Sequence, residues 1–188
     1  MKNGDWQTSI GRTLYGKTLG IFGLGKQGKQ VAKFGNAFGM NVIAWSHNLT
    51  KEVCDLENVT LVSSDKMFKN SDVLSIHTKL SDRTRGFINS KQIKMMKKTS
   101  IIINTSRGPI INENDLVEAL KDEKIAGVGL DVYDKEPLPQ DHKLRFFPNA
   151  LLLPHIGYVT AENYSKFYSQ MIENLESCLK NKPLRTIS

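Results

Sequence analysis

The sequence has few cysteines and no clustered metal ligands. Its two cysteines, Cys54 and Cys178, lie far apart, and neither belongs to a CxxC pair or has a histidine at zinc-ligand spacing. The four histidines are scattered along the chain. This pattern excludes a disulfide framework and predicts no metal site.

Long apolar runs are also missing. The segments "IIIN" and "LLLP" have the length of core strands and fall far short of a membrane span. The first residues, "MKNGD", lack the apolar stretch of a secretory signal. We therefore expect a cytoplasmic protein without membrane contact. At 188 residues with 39% hydrophobic content, the sequence predicts one globular domain, covering 1–188.

The charge of the chain is positive, with 26 lysines and arginines against 19 acidic residues and a net charge of +7. The densest cluster, "KMMKK" at 94–98, lies beside a predicted strand. No interleaved aromatic residues or nucleic-acid motif accompany it, so we expect a solvated surface and no nucleic-acid partner. Part of the excess charge could attract anionic ligands over long range.

Apolar runs of strand length alternate with helical segments, which predicts an α/β fold with a doubly wound parallel sheet. A helix is expected at 26–38, with Val31, Phe34, Ala37 and Phe38 as its apolar residues. Asn112 is expected to cap a second helix, and a terminal helix is expected at 161–180. The predicted strands are 19–23, 41–45, 59–62, 72–77, 100–105, 126–132 and 150–153.

A GxGxxG motif follows the first predicted strand and opens a helix. Gly23 permits a tight turn, Gly25 lets a pyrophosphate approach the backbone, and Gly28 lets the helix pack closely on the strand. The helix N-terminus attracts the anion. The position of the motif predicts a dinucleotide site, and the alternative is a glycine-rich turn that binds nothing.

The acid expected about 20 residues after the motif, where it would bond the adenosine ribose, is absent. Ser46, His47 and Asn48 occupy that position. Ser46 and Asn48 could bond a phosphate or a hydroxyl, and His47 could add partial positive charge. Because no arginine stands there to clamp a phosphate, the choice between NAD and NADP stays open.

Three residues that suit keto-acid chemistry follow predicted strands. Arg107 offers a permanently charged fork for a carboxylate. His155 lies in a loop between Pro154 and Gly157, and Glu136 follows the strand that ends near Asp131. Reduction of a keto acid needs a proton donor, a carboxylate that orients the donor, and a cation for the substrate.

The segments "GKTLGIFGLGKQGKQVA", "NTSRGPIINENDLVEAL", "GLDVYDKEPLP" and "LLPHIGYVT" resemble the NAD(P)-binding domain of the D-isomer-specific 2-hydroxyacid dehydrogenases. The resemblance runs from about residue 11 to residue 182. It implies that Arg107 holds and polarises a 2-keto acid and that His155 is the general acid or base. It also implies that Glu136 hydrogen-bonds His155 and that Asp131 contacts the nicotinamide. The other expected cofactor residues are Gly23, Gly25, Lys26, Gln27, Gly28, Ser46, His47, Asn48, His77, Thr78, Thr84 and Thr105.

Two features depart from the family pattern. Ser46 replaces the frequent ribose-binding acid, and only 22 residues precede Gly23, where family members carry a substrate-binding domain. We therefore expect a partial enzyme acting with NAD or NADP on a D-series 2-hydroxy or 2-keto acid, as a homodimer. The alternatives are an NAD(H)-sensing, corepressor-like interaction protein and an inactive cofactor-binding fragment.

Overall fold

The computed structural model describes Gly4, Trp6 and residues 10–186. The chain divides into two compact units, Met1–Pro154 and His155–Ser188. Among the described residues, no helix combines the length and apolar character that a membrane crossing requires.

The first unit contains a seven-stranded, fully parallel sheet in the order β3-β2-β1-β4-β5-β6-β7. This confirms the predicted doubly wound α/β fold. Each strand is within two residues of its predicted bounds at either end, and β2 matches them. The strands are β1 Thr18–Phe22, β2 Asn41–Trp45, β3 Thr60–Leu61, β4 Val73–Ile76, β5 Ile101–Asn104, β6 Gly127–Leu130 and β7 Ala150–Leu152.

Helices cover both faces of the sheet, so successive strand residues enter different cores. Ile21 belongs to one buried cluster and Phe22 to a second, larger one, as the alternation of side chains along a strand requires. The helices of this unit are α1 Lys26–Ala37, α2 Lys51–Asp55, α3 Ser64–Asn70, α4 Ser90–Met95 and α5 Glu113–Lys121.

Helix α1 turns a different face to the sheet from the one predicted. Its buried residues are Gly28, Ala32 and Gly35, whereas Phe34 and Phe38 are 64% and 61% exposed. Ala37 is also exposed, and Val31 is half-buried. A Cβ added at Gly35 would lie 2.6 Å from the Leu19 side chain. The helix backbone lies so close to the sheet that only small residues fit between them.

The sequence patterns do not predict α2, α3 and α4, which have five to seven residues each. Helices this short show no clear apolar period. Side-chain caps begin α3 and α4, whereas α2 begins at Thr50 without one. At α4 the Asn89 side chain accepts from the Lys91 N–H at 3.0 Å, and the Gln92 side chain accepts from the Asn89 N–H. The lysine-rich stretch at 94–98 runs through the C-terminal end of this helix.

The second unit contains one helix, α6 Ala161–Leu179. The Thr160 side chain caps it by accepting from the Asn163 N–H at 3.1 Å. No residue of α6 is buried, and the Tyr158 and Phe167 rings lie 6.5 Å apart.

Candidate dinucleotide site and active-site residues

The strand order reverses between β1 and β4, and the segments that follow these two strands meet there. The His77 N–H donates to the Phe22 carbonyl at 2.8 Å. A Cβ added at Gly23 would lie 2.7 Å from the Thr78 nitrogen. Ligands of open α/β sheets bind at such a reversal, beyond the carboxyl ends of the strands. The glycine loop (23–28) and the 77–84 segment therefore border one candidate cleft.

The three glycines of the loop are required for different reasons. Gly23 has a φ of +99°, which favours glycine, and a Cβ on Gly28 would lie 2.1 Å from the Gly23 carbonyl oxygen. The fold itself therefore requires Gly23 and Gly28. Gly25 has an ordinary extended φ of −80°, and a Cβ there would meet no atom within 4 Å. The protein leaves open the space beside Gly25, where a pyrophosphate would approach.

The beginning of α1 has the properties of an anion site. Gly25 caps the helix without a side-chain hydrogen bond, and the first turn contains no acid. The first N–H groups of a helix have no partners within it, and the helix dipole favours negative charge at that end. Lys26 and Gln27 are exposed there. These features fit the pyrophosphate of a dinucleotide.

The turn 46–48 lies beside the glycine loop, because the Gly23 N–H donates to the Trp45 carbonyl at 3.0 Å. Ser46 is half-buried, and His47 and Asn48 are exposed. The His47 ring packs against Trp45 at 4.9 Å and against Phe87 at 5.7 Å between ring centroids. Sequence reasoning missed Phe87, which lies 40 residues from His47 along the chain.

Two of the predicted cofactor residues in the 77–84 segment are partly or fully enclosed. Burial lowers the pKa of His77, and its Nε2 lies 2.8 Å from the Ser75 hydroxyl. Thr84 is buried, and its hydroxyl accepts from the Ser81 N–H at 2.8 Å and donates to the Lys79 carbonyl at 2.7 Å. Thr84 thus closes the turn after β4.

The segment that carries Arg107 is tied to the cleft. The Asn104 side chain donates to the Arg107 carbonyl at 3.0 Å and accepts from the Ser106 N–H at 3.0 Å. The Ser106 hydroxyl donates to the Thr78 carbonyl at 2.6 Å. Arg107 and Thr105 are exposed. The sequence patterns did not identify Asn104 and Ser106, although asparagine and serine are typical of turns in which side chains hydrogen-bond the nearby backbone.

The residues after β6 carry the two predicted carboxylates. Asp131 is buried, and its N–H donates to the Asn104 carbonyl at 3.0 Å. Glu136 is exposed, and its Oε1 accepts from the Tyr133 N–H at 2.9 Å. The Tyr133 hydroxyl donates to the Leu153 carbonyl at 2.8 Å. These bonds fix the loop that presents Glu136.

Further along, a histidine–carboxylate contact connects the same loop to helix α5. His142 Nε2 lies 2.9 Å from Glu113 Oε1, and the Leu144 N–H donates to His142 Nδ1 at 3.3 Å. Burial, and next the charge of Glu113, raise the pKa of Asp134, while Arg85 opposes that shift. The loop is therefore anchored at both of its ends.

His155 is the first residue of the second unit, whereas Arg107 and Glu136 belong to the first. Its backbone has a φ of +54°, a region that residues other than glycine rarely occupy. The ring is half-buried and meets the Tyr158 ring edge-on at 6.0 Å. Strained backbone of this kind concentrates at functional sites.

Residues 1–157 match the family model of the D-isomer specific 2-hydroxyacid dehydrogenase, NAD binding domain. The fold and the cleft thus define a Rossmann-type dinucleotide-binding domain, and the chain belongs to this dehydrogenase family. The match confirms the predicted cofactor, a nicotinamide dinucleotide, either NAD or NADP. Enzymes of the family act on small 2-keto and 2-hydroxy acids.

Three known proteins illustrate the similarity. Glyoxylate reductase from Aeropyrum pernix is 40% identical over 173 residues, which is 92% of this chain and 52% of the relative. A Ralstonia solanacearum oxidoreductase, provisionally described as a D-3-phosphoglycerate dehydrogenase, is 38% identical with a TM-score of 0.91, over 100% of this chain and 58% of that one. The NAD complex of a D-isomer specific 2-hydroxyacid dehydrogenase from Lactobacillus delbrueckii ssp. bulgaricus is 30% identical with a TM-score of 0.80, over 95% and 58%. The chain spans about half the length of the curated relative.

Proposed function

We propose that this chain supplies the cofactor domain and the catalytic residues of an NAD(P)-dependent oxidoreductase that interconverts D-2-hydroxy acids and 2-keto acids. The observation that carries the proposal is Gly25, a glycine that the fold does not need, beside open space at the beginning of α1. Because the chain belongs to a family of NAD-binding domains, we assign this space to the pyrophosphate of the dinucleotide. When bound, the dinucleotide supplies or accepts the hydride.

The chain's own residues bind and orient the acid. The exposed Arg107 guanidinium pairs with the substrate carboxylate, for which its planar fork is suited. His155 donates a proton to the carbonyl oxygen during reduction and removes it during oxidation. The family resemblance assigns to Glu136 the role of the carboxylate that orients the imidazole of His155. Asp131 contacts the nicotinamide carboxamide, and His77, Thr78 and Thr105 line the cleft.

Binding of the cofactor is tested by calorimetric titration of the chain with NADH and with NADPH. We expect saturable binding, and we expect Gly25→Val to remove it because the valine side chain occupies the space left for the pyrophosphate. Gly11→Val is the matched control, since a Cβ at Gly11 also meets no atom within 4 Å. Equal binding by Gly25→Val and Gly11→Val would refute this assignment of the loop.

Activity is tested separately, by following loss of reduced-nicotinamide absorbance with glyoxylate as the keto acid. His155→Ala should slow turnover by about a hundredfold or more while cofactor affinity stays the same, because positioned acid–base groups contribute roughly 10²–10⁴-fold. A chain that binds the cofactor without turnover of glyoxylate would refute activity of this chain by itself on that acid and leave the cofactor site intact.

The family resemblance also motivates two further parts of the proposal, a homodimer and a cytoplasmic location. Sedimentation velocity over a range of concentrations tests the first. A single species with the mass of one 21.2 kDa chain at every concentration would contradict it. Fractionation of the source cells tests the second.

A further inference from the structure

Phe87 is the centre of an aromatic cluster beside the glycine loop. Its ring lies 5.1 Å from Phe22, 5.2 Å from Trp45 and 5.7 Å from His47, between centroids. The planes of Phe87 and Trp45 are nearly parallel, at 18°, whereas the His47 ring meets Phe87 edge-on, at 69°. Offset stacking and edge-to-face contact are the favoured arrangements of such rings.

The backbone on both sides of Phe87 is fixed. The Gly86 N–H donates to the Pro109 carbonyl at 2.8 Å, and the Ile88 N–H donates to the Ile110 carbonyl at 3.1 Å. Trp45 is fixed too, since its carbonyl accepts from the Gly23 N–H. Two rings on fixed backbone therefore hold the imidazole of an exposed turn residue.

The His47 imidazole packs against the Trp45 and Phe87 rings. Among the described residues, none hydrogen-bonds either of its ring nitrogens. An imidazole always has at least one N–H to donate, and it has two when protonated. His47 thus offers an oriented donor with no protein partner, directly after β2, where the adenosine ribose is expected.

The surroundings of His47 favour an anion over a hydroxyl. Residues 46–50 are Ser, His, Asn, Leu and Thr, so no carboxylate stands in the turn to repel a phosphate or to accept from ribose hydroxyls. A phosphate monoester carries about −1.5 to −2 charges near neutral pH and accepts strong hydrogen bonds.

We infer that His47 selects NADPH over NADH by binding the 2′-phosphate, and that Phe87 is the positioning residue that holds the His47 imidazole in place. The inference rests on the proposed dinucleotide site. Phe87 then affects the cofactor preference only by holding the His47 imidazole, without touching the cofactor itself.

The test is a double-mutant cycle measured by calorimetry, because changes next to Trp45 would disturb its fluorescence. His47→Ala and Phe87→Leu should each lower NADPH affinity about tenfold, the worth of one hydrogen bond to a charged group, and leave NADH affinity unchanged. The double variant should lose no more than either single variant. Phe87→Tyr keeps the ring and should keep the NADPH preference. Phe38→Leu, at the exposed C-cap of α1, is the matched control.

The possible results separate the two proposals. A wild-type chain that binds neither dinucleotide refutes the dinucleotide site and this inference with it. A chain whose affinity for NADH equals or exceeds its affinity for NADPH refutes only the inference. Equal losses for both dinucleotides in Phe87→Leu would show that the ring is merely structural, and additive losses in the double variant would show that Phe87 does not act through His47.

Discussion

The glycine loop and the turn 46–48 are neighbours, because the Gly23 N–H donates to the carbonyl of Trp45, the residue before the turn. In the proposed site they act by different means. The loop would act through its backbone N–H groups and the space left by absent side chains. The turn would act through its side chains, above all an imidazole that packs against two rings. A site formed by backbone groups can be recognised in the sequence from its glycine spacing. A site formed by side chains also needs neighbours that are distant in sequence, and the sequence pattern does not show them.

Within the loop the same contrast recurs between two glycines. Gly28 is needed because α1 lies against the Gly23 carbonyl, so its role is to let the fold form. A Cβ at Gly25 would meet no atom within 4 Å, so the fold leaves this position open, and in the proposed site it admits the ligand. The GxGxxG motif therefore combines a folding requirement with a binding requirement, and substitutions can separate them.

The largest expected effect is on folding. Gly28→Ala places a Cβ 2.1 Å from the Gly23 carbonyl oxygen, backbone against backbone, and neither element can shift without disturbing the sheet. We expect the free energy of unfolding to fall by about 3 kcal/mol. Gly25→Ala should change it by less than about 0.5 kcal/mol. Urea denaturation of both variants measures this, and equal stability of the two would contradict the division of roles.

The next effect is on cofactor preference and tests the turn. Ser46→Asp restores an acid at the end of β2, where it repels a 2′-phosphate and accepts from ribose hydroxyls. NADPH affinity should fall about tenfold, because the new carboxylate and the 2′-phosphate repel each other even though water near the surface screens them. NADH affinity should stay the same or rise. Ser46→Asn is the uncharged control and should keep the original ratio. A ratio unchanged by Ser46→Asp would place the ribose elsewhere.

The sequence predicts the sheet and the backbone part of the site well. Strands such as β2 and β5 are continuous apolar runs that only a two-sided sheet can bury, and the glycines lie at a spacing with few structural explanations. Family membership agrees with the order of the motifs around Arg107 and His155.

What the sequence does not predict depends on contacts between distant segments. Phe87 reaches His47 only because the strand order brings the segments after β1, β2 and β4 together. The apolar pattern predicts that α1 buries its large apolar residues, yet its buried residues are Gly28, Ala32 and Gly35. Gly35 lies against the Leu19 side chain and Gly28 against the Gly23 carbonyl, so a larger residue at either position would clash. A rule that buries the larger residues fails where backbones are this close.

Burial of His77 predicts a smaller, pH-dependent effect on the free energy of unfolding. Burial lowers the pKa of His77, so the folded chain resists its protonation, while the unfolded chain takes up the proton below its ordinary pKa of about 6.5. The unfolded state then binds more protons, and the free energy of unfolding falls as the pH drops through this range. Thermal unfolding of the wild type should show this loss, and His77→Gln should reduce it.

The control for this effect is an exposed residue of the turn that does not titrate. Asn48→Gln should leave the pH dependence of stability as it is in the wild type, because neither side chain takes up a proton and the position is exposed. If His77→Gln and Asn48→Gln flatten the profile equally, burial of His77 is not the cause.

The smallest effect concerns the helix that the glycine loop opens. Phe38, the C-cap residue of α1, is 61% exposed, so Phe38→Gln should change the free energy of unfolding by less than about 0.5 kcal/mol. Ala32→Leu on the inner face should lower it by about 1–3 kcal/mol, because added methylenes strain a closely packed contact. Urea denaturation compares the two. A loss from Phe38→Gln as large as that from Ala32→Leu would mean that α1 packs through its aromatic residues, and the small-residue contact that positions the glycine loop would then need another explanation.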